Sequence, residues 1–218
     1  MFPRKMLPRA VVLLGLSLFC SLAAWGVVID RIAATVDREV ITLSQVEQIV
    51  KLRIVPREAS QREEDHRRQI LNQLIAQALR YRDVQRFGAE EVPADSIEAR
   101  FFEVVKRFDS QAAFDKSLRE TEMTADEVRG ILKRQMQVES YIEERFSPLI
   151  FVSLEEIEAY YRDVWAPQRR ERGLALVSLA EASNEIRAAL KGTRLQSEVE
   201  VWTAELRSRA NVDVYLSR

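Results

Sequence analysis

The sequence is poor in the residues that carry most enzyme and metal chemistry. Its 218 residues include one cysteine, one histidine, six glycines and six prolines. Cys20 lies in an apolar N-terminal stretch, so the remainder offers no disulfide framework, thiol nucleophile or cysteine metal site. No glycine-rich phosphate loop, HExxH or GxSxG motif occurs. We therefore expect no catalytic residue, no cofactor, no metal and no small-molecule substrate.

The N-terminus has the pattern of a secretory signal. Three basic residues precede an apolar run over residues 10–24, and Ala24-Trp25-Gly26 provides small residues for cleavage. We expect residues 1–26 to be removed; a cut after Ala23 and an uncleaved anchor are the alternatives. Lipidation of Cys20 is disfavoured by the bulky Phe19 before it. Cleavage would change the formal charge from −1 to −4, which gives no basic bias towards nucleic acid.

What is abundant is charge, at 31% of residues, which together with few glycines and prolines favours long amphipathic helices. Before the first of them, residues 32–36 and 40–42 form two short apolar runs around Asp37-Arg38-Glu39, which predicts a β-hairpin. Ser44, with Glu47 three residues later, predicts the N-cap of the following helix.

Apolar spacing predicts the helices that follow. The second helix is expected over 61–87, and the third is opened by Pro93 and Asp95 and runs to about Phe108. The next three are expected over 111–121, over 125–146 with Thr124 as N-cap, and over 154–165 with Ser153 as N-cap. Farther on, residues 173–179 predict a strand and residues 182–190 a helix stopped by Gly192. Residues 197–210 predict a last helix, and alternation over 212–216 predicts a strand that pairs with the opening hairpin.

Two segments carry a resemblance to a known family. They are the run IAATVDREVITLSQVE from Ile32 to Glu47, and S-L-E-E-I-E-A-Y-Y from Ser153 to Tyr161. Both are similar to segments of the SurA family of periplasmic chaperones of outer-membrane proteins. Residues 114–124 match a third family segment, except that Thr121-Glu122 stands where the family often has glycine.

The resemblance implies a mainly α fold: a helical chaperone core opened by a small β-hairpin and closed by a C-terminal helix and short strand. The expected division is a signal peptide over 1–26, the helical core over 27–165, and a closing piece over 197–218. The family's parvulin isomerase domain needs about 90 to 100 residues and paired histidines, whereas residues 166–218 are 53 residues without histidine. We therefore expect the isomerase to be absent and residues 166–196 to be a linker or isomerase remnant.

Large flexible apolar residues are the candidates for client binding, because methionine and aromatic side chains repack around varied partners. They are Phe101, Phe102, Phe114, Met123 and Met136. Phe101 and Phe102 are neighbours on a helix, so one should be core and the other partly exposed. We expect the exposed member to line a concavity with the other three; burial of all five in the core is the alternative.

The remaining polar groups are interpreted as surface. His66 lies in the charged run Glu63-Glu64-Asp65-His66-Arg67-Arg68, which is typical of a solvated helix face. The pairs Glu143-Glu144 and Glu155-Glu156 diverge by about 100° on a helix, so neither pair converges on a substrate by itself.

The resemblance, taken with these patterns, implies three possible functions. The first is an ATP-independent periplasmic chaperone that holds unfolded outer-membrane or secreted polypeptides. The second is a helical adaptor or assembly subunit with one fixed partner, and the third is a peptidyl-prolyl isomerase, which the expected absence of the domain disfavours. The sequence leaves the choice between one partner and many, and the oligomeric state, open.

Overall fold

The computed structural model describes residues 30–88 and 90–215, and it is mainly α with one small sheet. The predicted signal peptide and Leu216 lie outside the described residues. The strands are β1 (Ile32–Val36), β2 (Glu39–Thr42) and β3 (Val212–Val214). The helices are α1 (Leu43–Lys51), α2 (Glu63–Phe87), α3 (Ala94–Val105), α4 (Gln111–Glu120), α5 (Ala125–Phe146), α6 (Leu154–Tyr160), α7 (Ala166–Glu171) and α8 (Leu179–Ser208).

The sheet joins the two ends of the described chain. It is antiparallel with the order β2-β1-β3, and Val36 pairs with Val212. Asp37 turns the hairpin with φ 54°, and its backbone N–H donates to the carbonyl of Asn211 at 2.7 Å. The predicted hairpin and the docking of the closing strand upon it are therefore confirmed.

The N-cap of helix α1 lies two residues before the predicted Ser44. Thr42 is its N-cap, and it exchanges hydrogen bonds with Gln45 in a capping box. The carboxylate of Glu47, the predicted partner of Ser44, is instead paired with Arg67 at 2.6 Å. The prediction of Ser44 as N-cap is wrong because a tertiary ion pair uses the carboxylate that the local motif would need.

The main core lies between the sheet and α1 to α5. Its buried centre is apolar and includes Ala34, Ile41, Val46, Ile70, Leu71, Ile75 and Leu132. His66 is 2% exposed, so its interpretation as part of a solvated face is wrong. It lies four positions before Ile70, which places both on the same buried face of α2.

The turn between α4 and α5 adopts a Schellman geometry. Glu122 has a left-handed φ of 53°, its N–H donates to the carbonyl of Arg119, and the N–H of Met123 donates to that of Leu118. Glycine is the usual residue in this conformation. Thr124 then caps α5 in a box with Glu127, so the predicted start and end of α5 are confirmed.

A second core forms beyond α5. Ser153 caps α6 as predicted, but the helix continues through a π-helical turn (Tyr161–Trp165) into α7. Trp165 packs there with Ile157 and Ile186, and the Tyr161 hydroxyl donates to the carbonyl of Val177 at 2.6 Å. This side-chain hydrogen bond holds the segment before α8 against the π-helical turn.

Helix α8 differs most from its prediction. It is one helix of 30 residues, about 45 Å long at 1.5 Å per residue, and it passes through Gly192 without a break. The predicted strand over 173–179 is wrong, because residues 174–178 have no strand partner among the described residues. Both halves of α8 are packed, with Ile186 in the second core and Trp202 against α2 and α5, and this packing outweighs the helix-breaking tendency of one exposed glycine.

Candidate functional site

Two adjoining clefts lie between the hairpin, α1, α2 and α5. The hairpin cleft, of about 540 Å³, is bordered by β2, α1, α2 and the first half of α5. The loop cleft, of about 800 Å³, lies between residues 54–56, one face of α2 and the second half of α5. Ile49, Leu74, Gln77 and Gln135 line both clefts, so the two clefts adjoin at these side chains.

The floors of the two clefts are apolar. In the hairpin cleft Ile41 and Ile49 are each 3% exposed, and half-buried Met123 and Ile131 stand beside them. The loop cleft has buried Ile70 and Val138 in corresponding positions. These floors can remove apolar side chains of a ligand from water.

Amide side chains surround these floors. They are Gln45, Gln48, Gln69, Asn72, Gln73, Gln77 and Gln135. Gln77 donates from Nε2 to the carbonyl of Arg134 at 3.0 Å and joins α2 to α5. The side-chain amides of Gln73 and Gln135 make no hydrogen bond within the described part of the chain. An amide both donates and accepts without carrying charge, so it can pair with the backbone of a peptide of any sequence.

Most charged groups of the loop cleft are paired. Asp65 is bonded by Arg62 at 2.7 Å and Arg68 at 3.4 Å, and the hydrogen bond from Arg62 holds the pKa of the Asp65 carboxyl below its ordinary value. Glu139 pairs with Arg100 at 2.9 Å. Arg80 donates from Nε to the Thr203 hydroxyl at 2.7 Å. Burial lowers the pKa of its guanidinium, and the carboxylate of Glu200 partly offsets this shift.

Two of the predicted client-binding residues belong to the core. Phe101 is 6% and Phe114 is 1% exposed, and their rings meet edge to face with centroids 5.5 Å apart. Phe114 also meets Phe108 at 5.4 Å. The expectation that Phe114 lines an open concavity is corrected, because aromatic packing between α3 and α4 buries it.

The other three candidates remain accessible but do not share one surface. Phe102 is 58% exposed, as expected for the neighbour of a core phenylalanine. Met123 lines the hairpin cleft. Met136 is half-buried on α5 and lines neither cleft. Of the five candidates, the structure therefore places only Met123 in these clefts.

The amide residues were missed by the sequence reasoning, although a signal for them exists. Gln69, Gln73 and Gln77 recur at steps of four beside Ile70 and Leu74. This spacing aligns them along one edge of the apolar face of α2. An amide stripe that borders an apolar stripe indicates a polar, hydrated rim beside the buried face of the helix.

Within residues 30–88 and 90–215, no group of three or more His, Cys, Asp or Glu side chains could hold a metal ion. In the same ranges no helix combines the length and apolar character required to cross a membrane. The buried Nδ1 of His66 has no hydrogen-bond partner there.

No protein-family model matches this chain, and no curated protein matches it.

Proposed function

We propose that the chain is an ATP-independent chaperone that holds unfolded outer-membrane or secreted polypeptides in the periplasm, and that it acts by binding rather than catalysis. The observation that carries the proposal is the pair of adjoining clefts, with their apolar floors and amide rims. Apolar floors accept side chains of many shapes, and amides accept the backbone between them. Such a surface holds extended polypeptide without a strict sequence code.

The expected affinity is modest. One large apolar side chain contributes about 1.5 to 3 kcal/mol when it is fully buried, and ordering of a flexible client opposes this gain. Two clefts that each take one or two side chains therefore give weak, reversible holding. Because the client dissociates from such weak binding by itself, its release requires no nucleotide.

The resemblance to SurA supports the same proposal. The hairpin, the capped helix at Ser153 and the returning strand β3 occupy the order that the family pattern implies. Glu122 adopts the left-handed φ of 53° where that pattern often has glycine. A periplasmic location depends on export directed by residues 1–26. Cell fractionation followed by mass spectrometry of the N-terminus would test the location and the cleavage separately.

Suppression of client aggregation tests the proposal. Purified residues 27–218, without ATP, should keep an unfolded outer-membrane barrel from scattering light at a near-stoichiometric ratio. A protease-coupled proline-isomerisation assay on the same sample should give the uncatalysed rate. Unchanged aggregation of the barrel would refute the chaperone, and acceleration of isomerisation at micromolar protein would favour an enzyme.

A second candidate function, an adaptor with one fixed partner, is favoured by an exposed apolar segment. Leu149 and Phe151 are 78% and 77% exposed, and Leu154 is 58% exposed. Arg194 holds this segment to α8 by donating to the carbonyl of Phe151 and the carboxylate of Glu156. If one partner co-purifies at equal stoichiometry and is lost in Phe151→Ser, the adaptor is favoured over the chaperone.

A further inference from the structure

We propose that the loop cleft selects polypeptide segments that carry an internal Asp or Glu side chain among apolar residues, and that Arg80 binds this carboxylate. The inference deepens the proposed chaperone function and rests on it. It predicts that the loop cleft prefers client segments with an acidic side chain.

The first observation is the unfinished hydrogen bonding of Arg80. Its Nε is held by the Thr203 hydroxyl at 2.7 Å, and that hydroxyl donates to the carbonyl of Val199 at 2.5 Å. Among residues 30–88 and 90–215, the two η nitrogens have no hydrogen-bond partner, and no carboxylate oxygen lies within 4.0 Å of the guanidinium. One side of the guanidinium is thus anchored to α8, and the other is free.

The second observation is the contrast with the other charges of the cleft. Asp65, Arg68 and Glu139 each have an ion partner at 3.4 Å or less. Arg80 is the charged lining residue with no ion partner within 4.0 Å in the described ranges, and the carboxylate of Glu200 acts on it only from a greater distance. A half-buried guanidinium in a cleft with an apolar floor is poorly solvated, which makes an arriving carboxylate more favourable there than at an exposed arginine.

The geometry of the guanidinium favours a carboxylate over other acceptors. Two free η nitrogens can donate in parallel to the two oxygens of one carboxylate, an arrangement stronger than a single neutral hydrogen bond. An internal side chain fits better than a chain end, because the loop cleft and the hairpin cleft share four lining residues. A bound segment that is longer than the loop cleft can therefore extend from it towards the hairpin cleft.

Binding of matched peptides to the folded protein tests the inference. The probe is a short fluorescent peptide of apolar and Gln residues, acetylated and amidated, with one central Glu. It is compared with its Gln isostere and with the same Gln peptide carrying a free C-terminal carboxylate. We expect the Glu peptide to bind about tenfold more tightly than the Gln isostere, as a charge-assisted hydrogen-bonded pair in a partly screened cleft would give.

Variants locate the effect. Arg80→Gln should remove the preference for Glu, and Arg80→Lys should retain part of it because the charge remains while the planar fork is lost. The matched control is Arg86→Gln, which makes the same change of charge on the exposed surface of α2, outside both clefts. It should keep the preference. Circular dichroism establishes that each variant is folded.

The outcomes separate this inference from the chaperone itself. Equal affinity of the unmodified protein for the Glu and Gln peptides overturns the role of Arg80 and leaves the chaperone standing, whether or not any variant folds. Failure to bind either peptide, together with failure to suppress aggregation, overturns both. Tightest binding of the free C-terminal peptide would assign the site to chain ends and overturn the choice of an internal side chain.

Discussion

Replacement of Gly130 by Leu should obstruct the hairpin cleft without weakening the fold. Gly130 lies on α5 and lines this cleft, and a Cβ added to it would meet no atom within 4 Å. The leucine side chain can therefore enter open space instead of displacing a packed neighbour. Gly192 provides a matched control, since its Cβ would also meet nothing within 4 Å and it lies on α8, away from both clefts.

The two substitutions should have similar effects on stability and different effects on binding. Leucine is a better helix former than glycine by about 0.8 kcal/mol, which for a chain of this size raises the melting temperature by roughly 2 to 3 °C. In the hairpin cleft the new side chain takes the place of one client side chain, worth about 1.5 to 3 kcal/mol. Client affinity of Gly130→Leu should thus fall at least about tenfold, while that of Gly192→Leu should not change.

The assay pairs thermal melting with titration of an unfolded outer-membrane barrel, measured by fluorescence anisotropy and by light scattering. The informative result is a rise in melting temperature for both variants with loss of client binding only in Gly130→Leu. Equal client binding by the two variants would refute the hairpin cleft as a binding surface. A fall in melting temperature of Gly130→Leu alone would show that the space beside Gly130 is not open.

Three further predictions concern the fold. Trp202→Ala should lower the free energy of unfolding by about 3 to 5 kcal/mol in a urea titration, because the side chain is 6% exposed; a loss below about 1 kcal/mol would contradict docking of α8. Glu122→Gly should raise that free energy by about 1 kcal/mol, since it relieves a left-handed side chain, and a decrease would argue against this turn. The hydrogen bond from the N–H of Thr124 lowers the pKa of the Glu127 carboxyl in the folded protein. The ionised carboxylate therefore stabilises the fold above the pKa that Glu127 has in the unfolded chain, and this stabilisation is lost as the pH falls through its folded pKa. Glu127→Gln should therefore lose less stability than the unmodified protein between pH 6 and pH 3, and identical acid titration of the two would contradict the capping box.

Local sequence was sufficient wherever a structural element depends on near neighbours. The cap at Thr124 with Glu127, the cap at Ser153 and the two strands of the hairpin were all predictable, because each depends on hydrogen bonds or alternation within a few residues. The pairing of β3 with the hairpin could also be predicted from the sequence, since a short strand with one apolar face needs a partner.

The predictions failed where a distant contact overrides a local preference. Arg67 takes the carboxylate of Glu47, so α1 uses Thr42 and Gln45 instead of Ser44. Packing on both sides of Gly192 carries α8 through a position where local propensity predicted a stop.

By itself, the sequence determined the mainly α class and most helix ends, because helix periodicity and capping are properties of a short stretch of chain. Tertiary structure alone decided which apolar residues are core and which face a ligand. Phe114 and Met123 look equally suitable in sequence, yet the first is enclosed by two other phenylalanines and the second borders the hairpin cleft. The role of Arg80 also could not be predicted from sequence, because its free η nitrogens result from the positions of α5 and α8. A cleft between helices is a property of how the helices are arranged and not of any single helix.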